Sequence, residues 1–132
     1  MLKIPPFFRL ALVGLLILAG CSSANKSSGA ASAVEGYLQA LVAKDANQMI
    51  NLSCADWEGQ AKVEFDSFAA VNLTLEDLKC QDAGQQGNTT LVTCMGKLIA
   101  SYGTEDLQID VAERTYQAIE EGGDWRMCGY SQ

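Results

Sequence analysis

Five cysteines, at positions 21, 54, 80, 94 and 128, and not one histidine in 132 residues limit what this chain can become. Without histidine it lacks the commonest metal ligand and the commonest general base. No Cys-x-x-Cys pair occurs either, so the spacing disfavours a zinc centre. The thiols read instead as cross-links or points of modification. A disulfide adds on the order of 2–4 kcal/mol to a small domain.

Cys21 stands apart from the other four. Lys3 and Arg9 put positive charge at the front, residues 10–18 run apolar, and the small residues Ala19 and Gly20 precede the cysteine. This is the layout of a secretory signal peptide. The apolar centre is half the ~20 residues that a spanning helix needs. Leu18-Ala19-Gly20-Cys21 resembles the lipobox of bacterial lipoproteins at all four positions. The resemblance implies cleavage before Cys21, a diacylglyceryl group on its sulfur and acylation of the new amine, commonly by palmitate. Two or more acyl chains anchor a protein stably, at ~0.8 kcal/mol per buried methylene. The implied place is the extracytoplasmic side of a bacterial membrane. Ser22, where an aspartate would signal retention, implies the outer membrane in a Gram-negative host.

Residues 1–20 are then a signal peptide, and residues 21–132 are one domain's worth of chain. The net charge of −7 becomes −9 once Lys3 and Arg9 leave. No basic cluster offsets it, so nucleic acid is excluded as a partner. With Cys21 committed to lipid, four cysteines remain. An even number in an exported chain reads as two disulfides, with three possible connectivities.

Residues 21–32, the lipidated cysteine and a run of Ser, Ala, Asn, Lys and Gly, carry no large apolar side chain and read as a flexible tether. Eleven such residues span roughly 17–20 Å. The domain is expected over residues 33–132. Ser32 and Glu35 fit a capping box, and Val34, Tyr37, Leu38, Leu41 and Val42 follow helical spacing. That predicts a helix over 33–43. Asp45 and Gln48 offer a second capping box, for a helix over 46–52. Asp56 is positioned to cap a third helix, with Trp57, Ala61, Phe65 and Phe68 in one stripe.

From Leu73 the period shifts toward two. A hairpin centred on residues 84–88 sets Cys80 opposite Cys94 and Leu78 opposite Gly96. The first pair shares a face at a separation a disulfide can span. Folding back at Tyr102-Gly103-Thr104-Glu105 sets Ile109 opposite Leu98 and Leu107 opposite Ala100. Val92, Cys94, Leu98, Ala100, Leu107, Ile109 and Val111 then form a dry face, with Thr93, Lys97, Gln108 and Asp110 on the wet one. Alternation loses phase at residues 112–114, which predicts a bulge or bend. It resumes at Tyr116, turns at Gly122-Gly123 and ends in a strand over 125–130. Cys128 in that strand meets Cys54 if the second helix packs on the sheet. The pairing expected is therefore Cys54–Cys128 and Cys80–Cys94.

Helices first, then antiparallel strands closing on Gly122-Gly123-Asp124-Trp125-Arg126, resemble the nuclear transport factor two-like superfamily, a cystatin-like cone. So does the helical stretch Tyr37-Leu38-Gln39-Ala40-Leu41. The resemblance implies an α+β fold, with N-terminal helices on a curved antiparallel sheet of about four strands. Its enzymes are isomerases, dehydratases and cyclases. None of their catalytic motifs matches here, and no catalytic residue, metal ligand or cofactor is assigned.

Trp57, Tyr102, Tyr116 and Trp125 are candidates to line a pocket at the open end of the cone. Asp106 and Asp110 lie too near a turn for a shielded acid–base pair. Glu120, Glu121 and Asp124 read as solvated turn residues. The expected function is that of a membrane-anchored lipoprotein, not an enzyme, that binds a small ligand or an envelope protein. A small isomerase or dehydratase is the alternative.

Overall fold

The computed structural model describes residues 29–132. The expected signal peptide, Cys21 and residues 22–28 of the expected tether lie outside the described residues. The order of elements is α1 (Gly29–Val42), α2 (Ala46–Asn51), α3 (Glu58–Phe68), β1 (Asn72–Gln86), β2 (Thr89–Tyr102), β3 (Glu105–Asp110), a 3-10 turn (Val111–Glu113), β4 (Thr115–Glu121) and β5 (Asp124–Ser131). The fold is α+β, with three helices against one curved antiparallel sheet. That sheet has five strands, where about four were expected.

Helix α1 begins at Gly29, ahead of the expected residue 33, so the last residues of the expected tether are helical. Ala30 and Ala31 are buried. Small side chains let the helix approach the sheet closely; they have a core role even without a large apolar group. The Ser32–Glu35 box is consequently inside the helix. Glu35 turns to the sheet, where its carboxylate accepts from the Cys80 N–H at 2.7 Å. Tyr37, Leu38 and Leu41 are buried as the spacing predicts.

The bend after α1 is a Schellman closure. The Asp45 N–H donates to Ala40 O at 2.9 Å and the Lys44 N–H to Leu41 O at 3.2 Å, with Lys44 left-handed at φ 60°. The Lys44 ammonium reaches Phe68 O at the end of α3. Asp45 then caps α2 by accepting from the Gln48 N–H at 3.0 Å. Asp56 does not cap α3; Trp57 occupies that position and gives no side-chain cap. The α3 stripe packs on the core through buried Ala61 and half-buried Trp57, Phe65 and Phe68.

Strand β2 is the spine of the sheet. One edge pairs with β1 throughout. The other is shared by β4, along residues 89–93, and β3, along residues 97–102. The β1–β2 hairpin places Cys80 opposite Cys94, and β2–β3 places Leu98 opposite Ile109 and Ala100 opposite Leu107, as expected. Leu78 does not face Gly96. The register shifts between Glu76 and Lys79, with Asp77 at φ 53° and Gly96 at φ 115°. A Cβ on Gly96 would lie 2.6 Å from Glu76 O, so the bulge requires glycine there. Of the expected dry face, Val92, Cys94, Leu98, Ala100 and Val111 are buried, Ile109 is half-buried, and Leu107 is exposed. Both of the last two belong to β3, which reaches past the helices. The phase break at residues 112–114 is the 3-10 turn, capped by Asp110, which accepts from the Ala112 N–H at 2.9 Å.

The disulfides are Cys54–Cys128 and Cys80–Cys94. Around the first, the segment after α2 docks along β5. The Met127 N–H donates to Leu52 O at 2.6 Å, and the Cys54 N–H donates to Met127 O at 2.9 Å. This covers an otherwise open strand edge. Substituting Gly96→Ala should destabilise the domain by about 1–3 kcal/mol, from a left-handed backbone plus a backbone clash. A urea midpoint that falls at constant slope would confirm it, and an unchanged midpoint would show that the bulge tolerates a side chain.

Candidate functional site

Helical and strand periodicities bring one polar cluster into the interior. Trp57, at the N-cap of α3, and Glu64 within it are seven residues apart and share a face. On the sheet, Tyr116 and Tyr130 are cross-strand partners, with ring centroids 5.6 Å apart. Tyr37 reaches in from α1. Trp57 meets Tyr130 edge-on at 5.7 Å and donates its Nε1–H to the Tyr37 hydroxyl at 3.1 Å. The Tyr130 hydroxyl donates to Glu64 Oε2 at 2.9 Å. The Arg114 guanidinium lies over the Tyr130 ring, 4.3 Å from its centroid. Helix, sheet and the approach to β4 therefore converge on Tyr130.

Electrostatics follow from this enclosure. Burial pushes the Tyr130 hydroxyl up to about 12, reinforced by the Glu64 charge and by the hydrogen bond that favours the neutral phenol. The Tyr37 hydroxyl is raised further, again first by burial and then by Glu64. Tyr116 is raised by burial against an opposing pull from Arg114. The Tyr116 hydroxyl is fully enclosed and has no hydrogen-bond partner of good geometry among the described residues.

The four expected pocket residues are not brought together. Trp57 and Tyr116 join the interior cluster, each touching Tyr130. Tyr102 is exposed at the far end of β2. Trp125 follows Asp124 at the start of β5, against Gly29 of α1. Residue spacing alone does not nominate Glu64, Tyr130 or Arg114, and places Tyr37 only on one face of the first helix. The signal for Glu64 was its spacing of two turns from Trp57. Glu121 is not merely solvated, since it accepts from the Ala55 N–H at 3.1 Å and faces Arg126 at 3.9 Å.

Three surface clefts lie elsewhere. One of about 500 Å³ is bounded by Ser32, Asn51, Asp124, Trp125 and Arg126, beside Gly29. A second, about 410 Å³, lies between Gln85, Asn88, Thr90, Glu120 and Trp125. A third, about 360 Å³, lies between α2 and α3 at Met49, Ile50 and Phe65. Glu64 and Tyr130 line none of these three. Among the described residues no group of three His, Cys, Asp or Glu side chains is placed to hold a metal ion.

A scan of protein-family models finds no match, and neither does a search of curated proteins. Solved structures do match. The solution structure of a SEC-C motif containing protein from Rhodopseudomonas palustris aligns over 80% of this chain and 80% of its own, with 11% identity and a TM-score of 0.53. The helical cell shape determining protein of Campylobacter jejuni aligns over 76% of this chain, with 10% identity and a TM-score of 0.50; the match spans 38% of that protein. These two show a shared fold. A nuclear transport factor two-like protein of unknown function from Pseudomonas putida aligns over 80% of this chain and 87% of its own, with 14% identity and a TM-score of 0.47.

Two disulfides fit folding in an oxidising, extracytoplasmic compartment. Among the described residues no helix is long and apolar enough to cross a membrane.

The interior cluster makes stability depend on alkaline pH. The three tyrosines hold their protons in the folded chain above the value of 10.0 at which the unfolded chain releases them. Their contribution is complete below about pH 10 and is lost as pH rises through the folded values. The urea midpoint should therefore be level up to about pH 10 and then fall, with a shallower fall in Tyr130→Phe. A midpoint level to pH 12, or an identical fall in the variant, would show that the phenols do not govern alkaline unfolding.

Proposed function

We propose that this chain is a lipid-anchored lipoprotein of the bacterial cell envelope, whose domain binds a small ligand or an envelope protein and does not itself catalyse a reaction. The observation that carries this reading is the division of the cysteines. Cys54–Cys128 and Cys80–Cys94 use four of the five thiols. The fifth is Cys21, at the end of Leu18-Ala19-Gly20-Cys21. A chance cysteine at the cut would leave an odd thiol in an oxidising compartment, free to mispair. A lipidated one leaves an even set. The host's outer membrane, if it has one, is the proposed site.

The binding part of the reading draws on the interior. A buried carboxylate beside tyrosines is what an isomerase or dehydratase of this shape would use. Here Glu64 is engaged by Tyr130 and lies beside Tyr37, while the three clefts open onto other residues. Those groups hold helix to sheet, and the surface clefts are left for a partner.

In cells fed a labelled fatty acid, the wild-type protein should carry label and partition into the detergent phase. Cys21→Ser should abolish both and leave an unprocessed or soluble form. Detergent partitioning of Cys21→Ser with normal processing would overturn the anchor.

A further inference from the structure

Trp125 is the one side chain shared by the clefts of about 500 and about 410 Å³, and it forms a common wall between them. Its position is set by backbone. Gly122 and Gly123 make the left-handed turn that starts β5, and the indole rests on the Cα of Gly29, where any Cβ would collide with Cδ1 and Nε1. The ring is held in place yet half-buried.

Around it, in the smaller cleft, stand Gln85, Asn88, Thr90 and Glu120. None of these four side chains is hydrogen-bonded or ion-paired within the described residues. Thr90 lines the cleft from β2 and is itself only 3% exposed, so its side chain is fixed in the wall. In the larger cleft the cation is already taken. Arg126 reaches Asn51 O and faces Glu121 at 3.9 Å and Asp124 at 3.7 Å.

These groups select a ligand by chemistry. The two amides each offer donors and acceptors, the hydroxyl offers both, and the carboxylate accepts. Sugar hydroxyls, which both donate and accept, satisfy such a set. The C–H face of a pyranose stacks on an indole. Among the described lining residues an anion finds no free cation, and it meets a chain of net charge −7. A quaternary ammonium is recognised by a cage of several aromatic rings, and here there is one. We infer that Trp125 is the stacking platform of a binding site for a neutral oligosaccharide, which lies across the indole with sugar units in the two adjoining clefts. This names a ligand class for the binding domain proposed above and rests on that reading; it is tested on purified protein, so a failed anchor and a failed site are told apart.

The full-length protein, extracted in an uncharged polyoxyethylene detergent that carries no sugar, would be titrated by calorimetry with β-linked tetrasaccharides of glucose and of N-acetylglucosamine. At least one should bind saturably. Trp125→Ala should weaken that binding about tenfold. Gln85→Ala and Asn88→Ala, both at exposed positions that do not threaten the fold, should each weaken it about two- to fivefold. Tyr102→Ala, an exposed aromatic at the other end of the sheet, should leave it unchanged. Three results would overturn the inference: no saturable binding by either sugar, unchanged affinity in the Gln85 and Asn88 variants, or displacement of the sugar by tetramethylammonium.

Discussion

The short segment after α2 is where the helical layer is tied covalently to the sheet. Cys54 is bonded to Cys128, and the backbone on either side makes a two-bond bridge to Met127. The bridge fixes where α3 starts, and hence where Trp57 sits above β5. Trp57 in turn meets Tyr37 and Tyr130, so α1, α3 and β5 share one contact. Arg126 and Glu121 bind the same segment from the β4–β5 turn. A covalent bond, a strip of ladder and a pair of charged side chains thus converge within a few residues. They add to a core that includes Tyr37, Leu38, Leu41, Met49, Tyr116 and Met127, and together these hold the helices in register on the sheet.

Most of the architecture could be read from residue spacing. The hairpin register that pairs Cys80 with Cys94 follows from strict alternation and turn residues, and the β2–β3 register follows in the same way. What escaped was set by backbone conformation. Alternation cannot report a left-handed Asp77 opposite Gly96, because the bulge changes the count on one strand only. The early start of α1 escaped for another reason: Ala30 and Ala31 look like linker residues until a sheet is close enough for small side chains to be the ones that fit.

The candidate site was less legible. Aromatic residues can be counted in a sequence, but their grouping depends on which sheet face and which end each one occupies. Tyr116 and Trp57 converge because β4 pairs with β5 through Tyr130. Tyr102 and Trp125 diverge because they stand at opposite ends of the fold, one beside β3 and one beside α1. A buried glutamate such as Glu64 is marked only by its two-turn spacing from Trp57; within α3 it is otherwise one acidic residue among several. Only the tyrosine that donates to it explains its burial.

The contact between Gly29 and Trp125 also sets a geometry of attachment. Gly29 lies eight positions beyond Cys21, and eight residues drawn out fully reach only about 25–30 Å. Under the proposed anchor at Cys21, the Trp125 end of the domain would stay within that reach of the membrane. Tyr102 and the β2–β3 turn stand at the other end of the fold from Trp125. On that proposal, a molecule that meets Trp125 would come from within a few nanometres of the membrane.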